Sequence, residues 1–205
     1  MNNVCPFGSS LQKYWDRRHT LFARFDEGIQ IDGEGLYSVC PEDVALAIAE
    51  RVRSSTVFDA FGGVGGNSIA FARKGKIVWF TDINAERVRM AKANARIYSV
   101  EDKITFLSED FFVAAKHVSA GAVYIDPPWG GPSYSQKELF SLRDFSPDGV
   151  AILQISFQLF PEVILRVPSN FDMHELQQFD RKFTVEENHS AGKLISKTVY
   201  FSEKR

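Results

Sequence analysis

Thr56-Val57-Phe58-Asp59-Ala60-Phe61-Gly62-Gly63-Val64-Gly65-Gly66-Asn67 is the stretch from which the fold is read. Thr56, Val57 and Phe58 are β-branched or aromatic, and they predict a short strand that stops at Asp59. The glycines that follow let the backbone turn sharply and come close to a ligand. Ser68 to Lys74 then carries a helical apolar pattern. A glycine-rich turn says little by itself. Flanked by a strand and a helix, it predicts a ligand site at the end of a parallel sheet.

The same unit repeats outward. Ile77 to Thr81 is a second strand ending at Asp82, followed by a strongly helical run from Glu86 to Ala95. Asp82 fits two roles: a cap for that helix, or an acceptor for ribose hydroxyls, which the distance of about 20 residues from the glycine turn favours. Lys103 to Leu107 is a third strand, with Asp110 at its exit and a helix running to about His117. Asp110 reads either as a cap or as a group facing the same crevice. Ala122 to Ile125 is a fourth strand, and it delivers Asp126-Pro127-Pro128-Trp129-Gly130-Gly131-Pro132. The prolines cannot continue a strand, and their fixed φ stiffens the turn. Asp126 and Trp129 are thus expected on a rigid ledge at the crevice, although such a loop also suits a plain surface turn.

Towards the N-terminus, Leu11 to Phe25 interleaves aromatics with Lys13, Arg17, Arg18 and Arg24, which predicts an amphipathic helix or two short ones, whose basic face is either simply solvated, the favoured reading, or set beside a phosphate-bearing ligand. Residues 28–35 read as a loop. A helix opens at Pro41, in its first turn, and ends near Arg53. Towards the C-terminus, Gln136 to Leu142 is expected as a short helix, Ser146 to Gly149 as a turn or helix start, and Val150 to Leu159 as strand or helix. Val163 to Val167 is a strand and Phe171 to Phe179 a helix. Phe183 to Asn188 and Leu194 to Ser202 form a hairpin about residues 189–193. The expected fold is α/β: a mostly parallel, Rossmann-like sheet with helices on both faces and a C-terminal antiparallel hairpin. Residues 1–50 are expected to form a small helical module closing over the site, and residues 51–205 the main domain.

Bulk properties narrow the partners. The 205 residues are 44% hydrophobic and 24% charged, with a net charge of −2, so avid sequence-independent binding to long nucleic acid is not expected. The two cysteines, Cys5 and Cys40, make neither a metal-type spacing nor a disulfide framework. No metal is expected. The N-terminus lacks a secretory pattern and no apolar run reaches membrane-spanning length. The expectation is a soluble intracellular monomer, nuclear or cytoplasmic or both, with no membrane partner.

The glycine turn departs from the spaced three-glycine dinucleotide fingerprint and has an acid, Asp59, at its head, where a pyrophosphate would be repelled. A ligand with a positive end suits it better. S-adenosylmethionine carries a sulfonium and an ammonium and no phosphate, which favours a methyltransferase over a nicotinamide dehydrogenase. The ledge then holds a flat base: Trp129 stacks on it and Asp126 accepts a hydrogen bond, or the departing proton, from its exocyclic amine. Trp is the strongest cation–π partner, so a positively charged base is favoured.

From about Lys13 onward the chain resembles the trimethylguanosine synthases. The resemblance rests on Lys13-Tyr14-Trp15, Leu21 to Ile29, Asp59 to Asn67, Pro127 to Pro132 and Ser146-Pro147-Asp148-Gly149. It implies methyl transfer from S-adenosylmethionine to the 2-amino group of 7-methylguanosine in RNA caps, with capped RNA as the partner. It implies that Asp59, Asp82 and Asp110 hold the cofactor, with Phe61, Gly62, Gly63, Gly65, Asn67, Ile83 and Phe111 completing that site. For the substrate it implies Asp126, Pro127 and Trp129 at the reacting amine, with Pro128, Lys13, Phe22, Asn94 and Asn170 as further contacts and Lys13 facing the cap phosphates. Three positions depart from the family: Asp126, where serine is frequent, Cys40, where threonine is usual, and Ser169, where an arginine can grip the phosphates. The Ser169 change implies a weaker phosphate grip, or compensation by another basic residue such as Arg166 or Lys193. Two other activities fit the same residues: an amino-group methyltransferase acting on guanine or adenine in structural RNA or DNA, and a non-catalytic RNA-binding subunit.

Overall fold

The structure, a computed structural model, describes residues 4–131, 137–190 and 192–201. Seven strands form one sheet: β1 (Thr56–Asp59), β2 (Ile77–Thr81), β3 (Ile104–Leu107), β4 (Ala122–Ile125), β5 (Glu162–Pro168), β6 (Phe183–Ser190) and β7 (Lys193–Phe201). Their order is β3-β2-β1-β4-β5-β7-β6. The first five are parallel, and β7 runs antiparallel to both β5 and β6. The order reverses between β1 and β4, so the segments that leave these two strands part there and open a crevice. Asp59 ends β1 and Asp126 directly follows β4, which places both at that switch point.

Alternation along the strands divides the interior in two. Val57, Tyr124 and Ile164 point into one cluster, while Phe58, Val123, Ile125 and Leu165 point into the other. Both faces are covered, which is why every residue of β4 and β5 is buried. The helices α4 (Glu42–Arg51), α5 (Gly66–Arg73) and α6 (Ala85–Ile97) cover the first cluster. The short α7 (Phe111–Ala114) and the longer α8 (Gly149–Leu159) cover the second.

Upstream, α1 (Gln12–Trp15), α2 (Arg18–Leu21) and α3 (Gly33–Ser38) are each two turns or less. Leu21, Phe22, Phe25 and Leu36 from this region are buried in the same cluster as Ile69 and Phe71 of α5. The N-terminal segment therefore shares its core with the sheet's helical layer.

Several local expectations are corrected. Residues 28–35 are not all loop, because the Asp32 carboxylate accepts from the Gly35 amide at 2.6 Å and starts α3. Pro41 stands one residue ahead of the first turn of α4, and that helix stops at Arg51. Val150 to Leu159 is helical, since Asp148 caps it by accepting from the Ala151 amide. Over Gln136 to Leu142, Gln136 lies outside the described residues. Phe140 instead bridges to Phe171, and a single 3-10 turn runs over Leu142–Asp144. Met173–Phe179 is a 3-10 helix. The hairpin is as expected with longer arms; Ala191 in its turn and Ser202 beyond it lie outside the described residues.

Candidate active site

A cavity of about 610 Å³ opens at the C-terminal ends of β1, β2 and β4. Its floor is the glycine turn. Gly63 and Gly65 have φ of +54° and +93°, values that favour glycine. Gly62 and Gly66 are required for space: a Cβ on Gly62 would lie 2.1 Å from the Phe80 ring, and one on Gly66 would lie 2.6 Å from Val39 Cγ2. The turn is thus pressed between β2 and the residues ahead of α4.

Asp82 is fixed by this turn. Its Oδ2 accepts from the Gly63 amide at 3.0 Å and its Oδ1 from the Asn84 amide at 2.8 Å. It does not cap α6, because the Asn84 side chain does that by accepting from the Glu86 and Arg87 amides. Burial raises the Asp82 carboxyl above its ordinary range, and the two amides pull it back. Ile83, largely exposed, and Phe61 and Phe111 give the same wall apolar surface. Asp110 lines the cavity and also caps α7, with Oδ1 accepting from the Phe112 amide at 2.8 Å. Both readings of that residue hold.

Asn67 is 8% exposed and lines the cavity, where its side chain lies against the buried Cys40 thiol. Asp59 is different. It is buried, accepts from Ser68 Oγ at 2.6 Å, and does not reach the cavity wall. Burial pushes its carboxyl up to about 7 despite the Ser68 hydrogen bond, with the charges of Asp126 and Asp82 adding to the rise. It backs the glycine turn, off the cavity wall where its direct role was expected. Gly65 also lies off the wall, since it packs on Ala91 of α6 and precedes the first turn of α5.

The ledge forms the opposite side. Asp126, Pro127, Pro128, Trp129 and Gly131 line the cavity. Pro132 lies outside the described residues. Asp126 Oδ2 accepts from Arg166 Nη1 at 2.7 Å and, more weakly, from the Tyr124 hydroxyl at 3.4 Å. The Arg166 guanidinium also lies over the Trp129 ring, 4.8 Å from its centroid. Burial raises the Asp126 carboxyl and Arg166 draws it down. Arg166 is 4% exposed and committed to Asp126 and to Ser196, so it is no substitute for a phosphate-gripping arginine at position 169. Lys193 is exposed at the start of β7, off the wall. Cys40 lines the cavity as a buried neutral thiol, pushed up to about 12 by burial.

The remaining substrate residues separate from the site. Asn94 is buried and its amide is fully engaged: Nδ2 donates to the Gln30 and Val64 carbonyls, and Oδ1 accepts from the Gln30 amide at 2.7 Å. It ties the N-terminal segment to the glycine turn. Phe22 is buried beside Tyr98 as core, and Asn170 donates to the Lys137 carbonyl away from the wall. Lys13 is exposed, its amine 4.9 Å from the Tyr14 ring centroid, while Tyr14 and Arg17 reach the cavity. Sequence reasoning missed Tyr37 and Arg87 as wall residues. Arg87 is held by Asp32 at 2.9 Å and Glu34 at 2.5 Å, and nothing local in α6 separates it from a solvated helix charge. Among the described residues, no cluster of three or more His, Cys, Asp and Glu is arranged to hold a metal ion.

A family profile described as RNA cap guanine-N2 methyltransferase matches residues 54–202. The chain belongs to this family. It is similar to the trimethylguanosine synthase of Schizosaccharomyces pombe, 38% identical over 188 residues, which are 86% of this chain and 78% of that protein. It is 32% identical over 185 residues to the trimethylguanosine synthase of Saccharomyces cerevisiae, across 84% of this chain and 59% of that protein. Among solved structures, the S-adenosylmethionine-dependent methyltransferase from Agrobacterium tumefaciens shares the fold, with a TM-score of 0.56 at 17% identity over 82% of this chain and 64% of that one. Membership makes this chain an S-adenosylmethionine-dependent methyltransferase acting on the 2-amino group of the cap guanosine. The cavity fits that cofactor. The Asp82 carboxylate is positioned for ribose hydroxyls, and Ile83, Phe61 and Phe111 offer apolar surface for a purine.

Proposed function

We propose that this protein methylates the 2-amino group of a cap guanosine that already carries its 7-methyl group, in a cavity that residues 1–50 complete as a closing module. The observation that carries this reading is Trp129, an indole on the cavity wall beside the Asp126 carboxylate. A 7-methylated guanine is cationic, and a cation on the face of an indole gains about 0.5–2 kcal/mol over a neutral base. Bound at the glycine turn, S-adenosylmethionine supplies a methyl group on a cationic sulfur. The protein's part is to bind and orient. Trp129 fixes the plane of the base, and Asp126 Oδ1, the oxygen not used by Arg166, accepts from the exocyclic amine. Holding the weakly nucleophilic amine in line is the main catalytic contribution, worth up to about 7–11 kcal/mol in well-oriented systems. Pro127 and Pro128 keep that ledge stiff.

Tyr14, Arg17 and Tyr37 of the N-terminal segment stand on the wall, which supports a closing role for that segment. Arg17 is the exposed cation best placed for the cap phosphates, with Lys13 one turn away beside the same Tyr14 ring. Equilibrium binding of 7-methyl-GTP and GTP, with S-adenosylhomocysteine present, tests the reading. The methylated nucleotide should bind roughly tenfold more tightly, and Trp129→Ala should abolish that preference while keeping S-adenosylhomocysteine affinity. Equal affinities of the wild type for the two nucleotides would refute it.

A further inference from the structure

The buried ion pair beneath Trp129 is not required by anything derived so far. Arg166 comes from the middle of β5, a strand whose residues are otherwise apolar after Glu162. Its Nη1 reaches Asp126 at 2.7 Å, its Nε donates to Ser196 Oγ at 3.1 Å, and its guanidinium carbon lies over the Trp129 ring, 4.8 Å from the centroid. Ser196 is itself held from β6, where Asn188 Nδ2 donates to Ser196 Oγ at 3.0 Å and to Thr198 Oγ1 at 2.8 Å. A chain of side chains therefore runs from the hairpin through β5 to the ledge. Desolvating two charges is costly, and such a pair rarely stabilises a fold more than apolar residues would. Its placement against two cavity-lining residues suggests a use.

We propose that Arg166 is a positioning residue for methyl transfer: it holds the Asp126 carboxylate and the Trp129 ring as one unit, occupying one face of the indole so that the guanine stacks on the other. The proposal rests on the cap-guanosine reading above. Arg166 also sets the charge state of Asp126. The titratable and charged groups that face Asp126 are Arg166 from β5, Tyr124 from β4, Asp59 from β1 and Cys40 ahead of α4. Arg166 is the one cation among them. Its charge favours the ionised, accepting form of Asp126 against the effect of burial. Without it, burial favours the protonated acid, which has lost an acceptor oxygen.

The test compares wild type, Arg166→Lys, Arg166→Met and the double variant Asp126→Asn/Arg166→Met, using 7-methyl-GTP and labelled S-adenosylmethionine. Transfer rates are measured across pH and cofactor affinity by calorimetry. Arg166→Met should keep S-adenosylmethionine affinity within about twofold, lose about 10-fold to 100-fold in kcat, and move the acid limb of its pH profile up by about one unit or more. Arg166→Lys should restore the position of that limb, because the charge returns, while recovering kcat only in part, because an ammonium cannot lie flat on the indole. If Arg166→Met does not fold, the double variant, which buries no lone charge, carries the test: it should bind cofactor, lose kcat and show no acid limb. Unchanged kcat and an unchanged acid limb in Arg166→Met, or a double variant as active as wild type, would overturn the proposal. Failure of the wild type itself to methylate 7-methyl-GTP would overturn the substrate reading and this proposal with it. Wild-type transfer with unaffected variants overturns this proposal alone.

Discussion

At the scale of single residues, the site divides into groups that touch the cavity and groups that hold those in place. Asp82 belongs to the first. Replacing it with alanine removes charge-assisted bonds to the ribose, and S-adenosylmethionine affinity measured by calorimetry should fall by about 1.5–3 kcal/mol; unchanged affinity would refute the role. Asp59 belongs to the second and has a pH signature. Its carboxyl titrates near 7 in the folded chain because burial disfavours its charge, against about 3.9 when unfolded. Between those values the folded state holds the proton that the unfolded state has lost. The contribution of Asp59 to stability is therefore complete below about pH 4 and is lost as pH rises towards 7, at about 1.4 kcal/mol per unit. Urea midpoints of wild type and Asp59→Asn, which can still accept from Ser68, should diverge across that window as the wild type loses stability; parallel curves would contradict this. Asp82, Asp126 and Trp129 were legible because an acid or an indole just past a buried strand has few structural uses. Asn94 and Phe22 were assigned by resemblance alone, and Lys13 by resemblance together with a basic, aromatic stretch that a solvated helix face explains equally. Their surroundings, a backbone carbonyl pair, a core pocket and a neighbouring tyrosine ring, come from residues distant in sequence or from rotamers that no local pattern reveals.

At the scale of elements, the glycine turn is the least replaceable part. Gly62 has no positive φ, so alanine there is allowed by the backbone and excluded only by the Phe80 ring 2.1 Å from its new Cβ. At Gly63 the reverse holds: φ is +54° and no atom lies within 4 Å of a built Cβ. Gly62→Ala should therefore destabilise the chain by about 1–3 kcal/mol through overpacking of the β2 face. Gly63→Ala should cost about 1–2 kcal/mol through backbone strain alone. Thermal unfolding of both, with and without Phe80→Leu, separates the causes: the smaller side chain should rescue Gly62→Ala only. The strands were read nearly to the residue, because short apolar runs bounded by turns and acids admit few registers. The helices were less legible where they are short. α3 exists because of one Asp32 hydrogen bond, and Met173–Phe179 takes 3-10 form, which shares the helical apolar spacing that pointed to an α-helix. The ambiguity of Val150 to Leu159 has another origin: Gly149, Ile152, Leu153 and Ser156 form one buried stripe, but apolar residues such as the exposed Leu159 also stand off it and blur the periodicity.

At the scale of the whole molecule, the sheet supplies the cofactor site and the ledge, and the N-terminal segment supplies the remaining wall. Tyr14, Arg17, Tyr37 and the Glu34–Arg87 pair bring that wall together from elements whose contacts lie far away in the chain, which is why the strand–turn–helix pattern revealed the cofactor side of the cavity and not this one. Methyl transfer to 7-methyl-GTP and to GTP, measured side by side with labelled S-adenosylmethionine and mass analysis of the products, tests the central claim directly. Transfer to the 2-amino group of 7-methyl-GTP, with GTP at least roughly tenfold poorer in kcat/KM, is the predicted result. Equal use of both nucleotides, or transfer to neither, would contradict the account of the substrate.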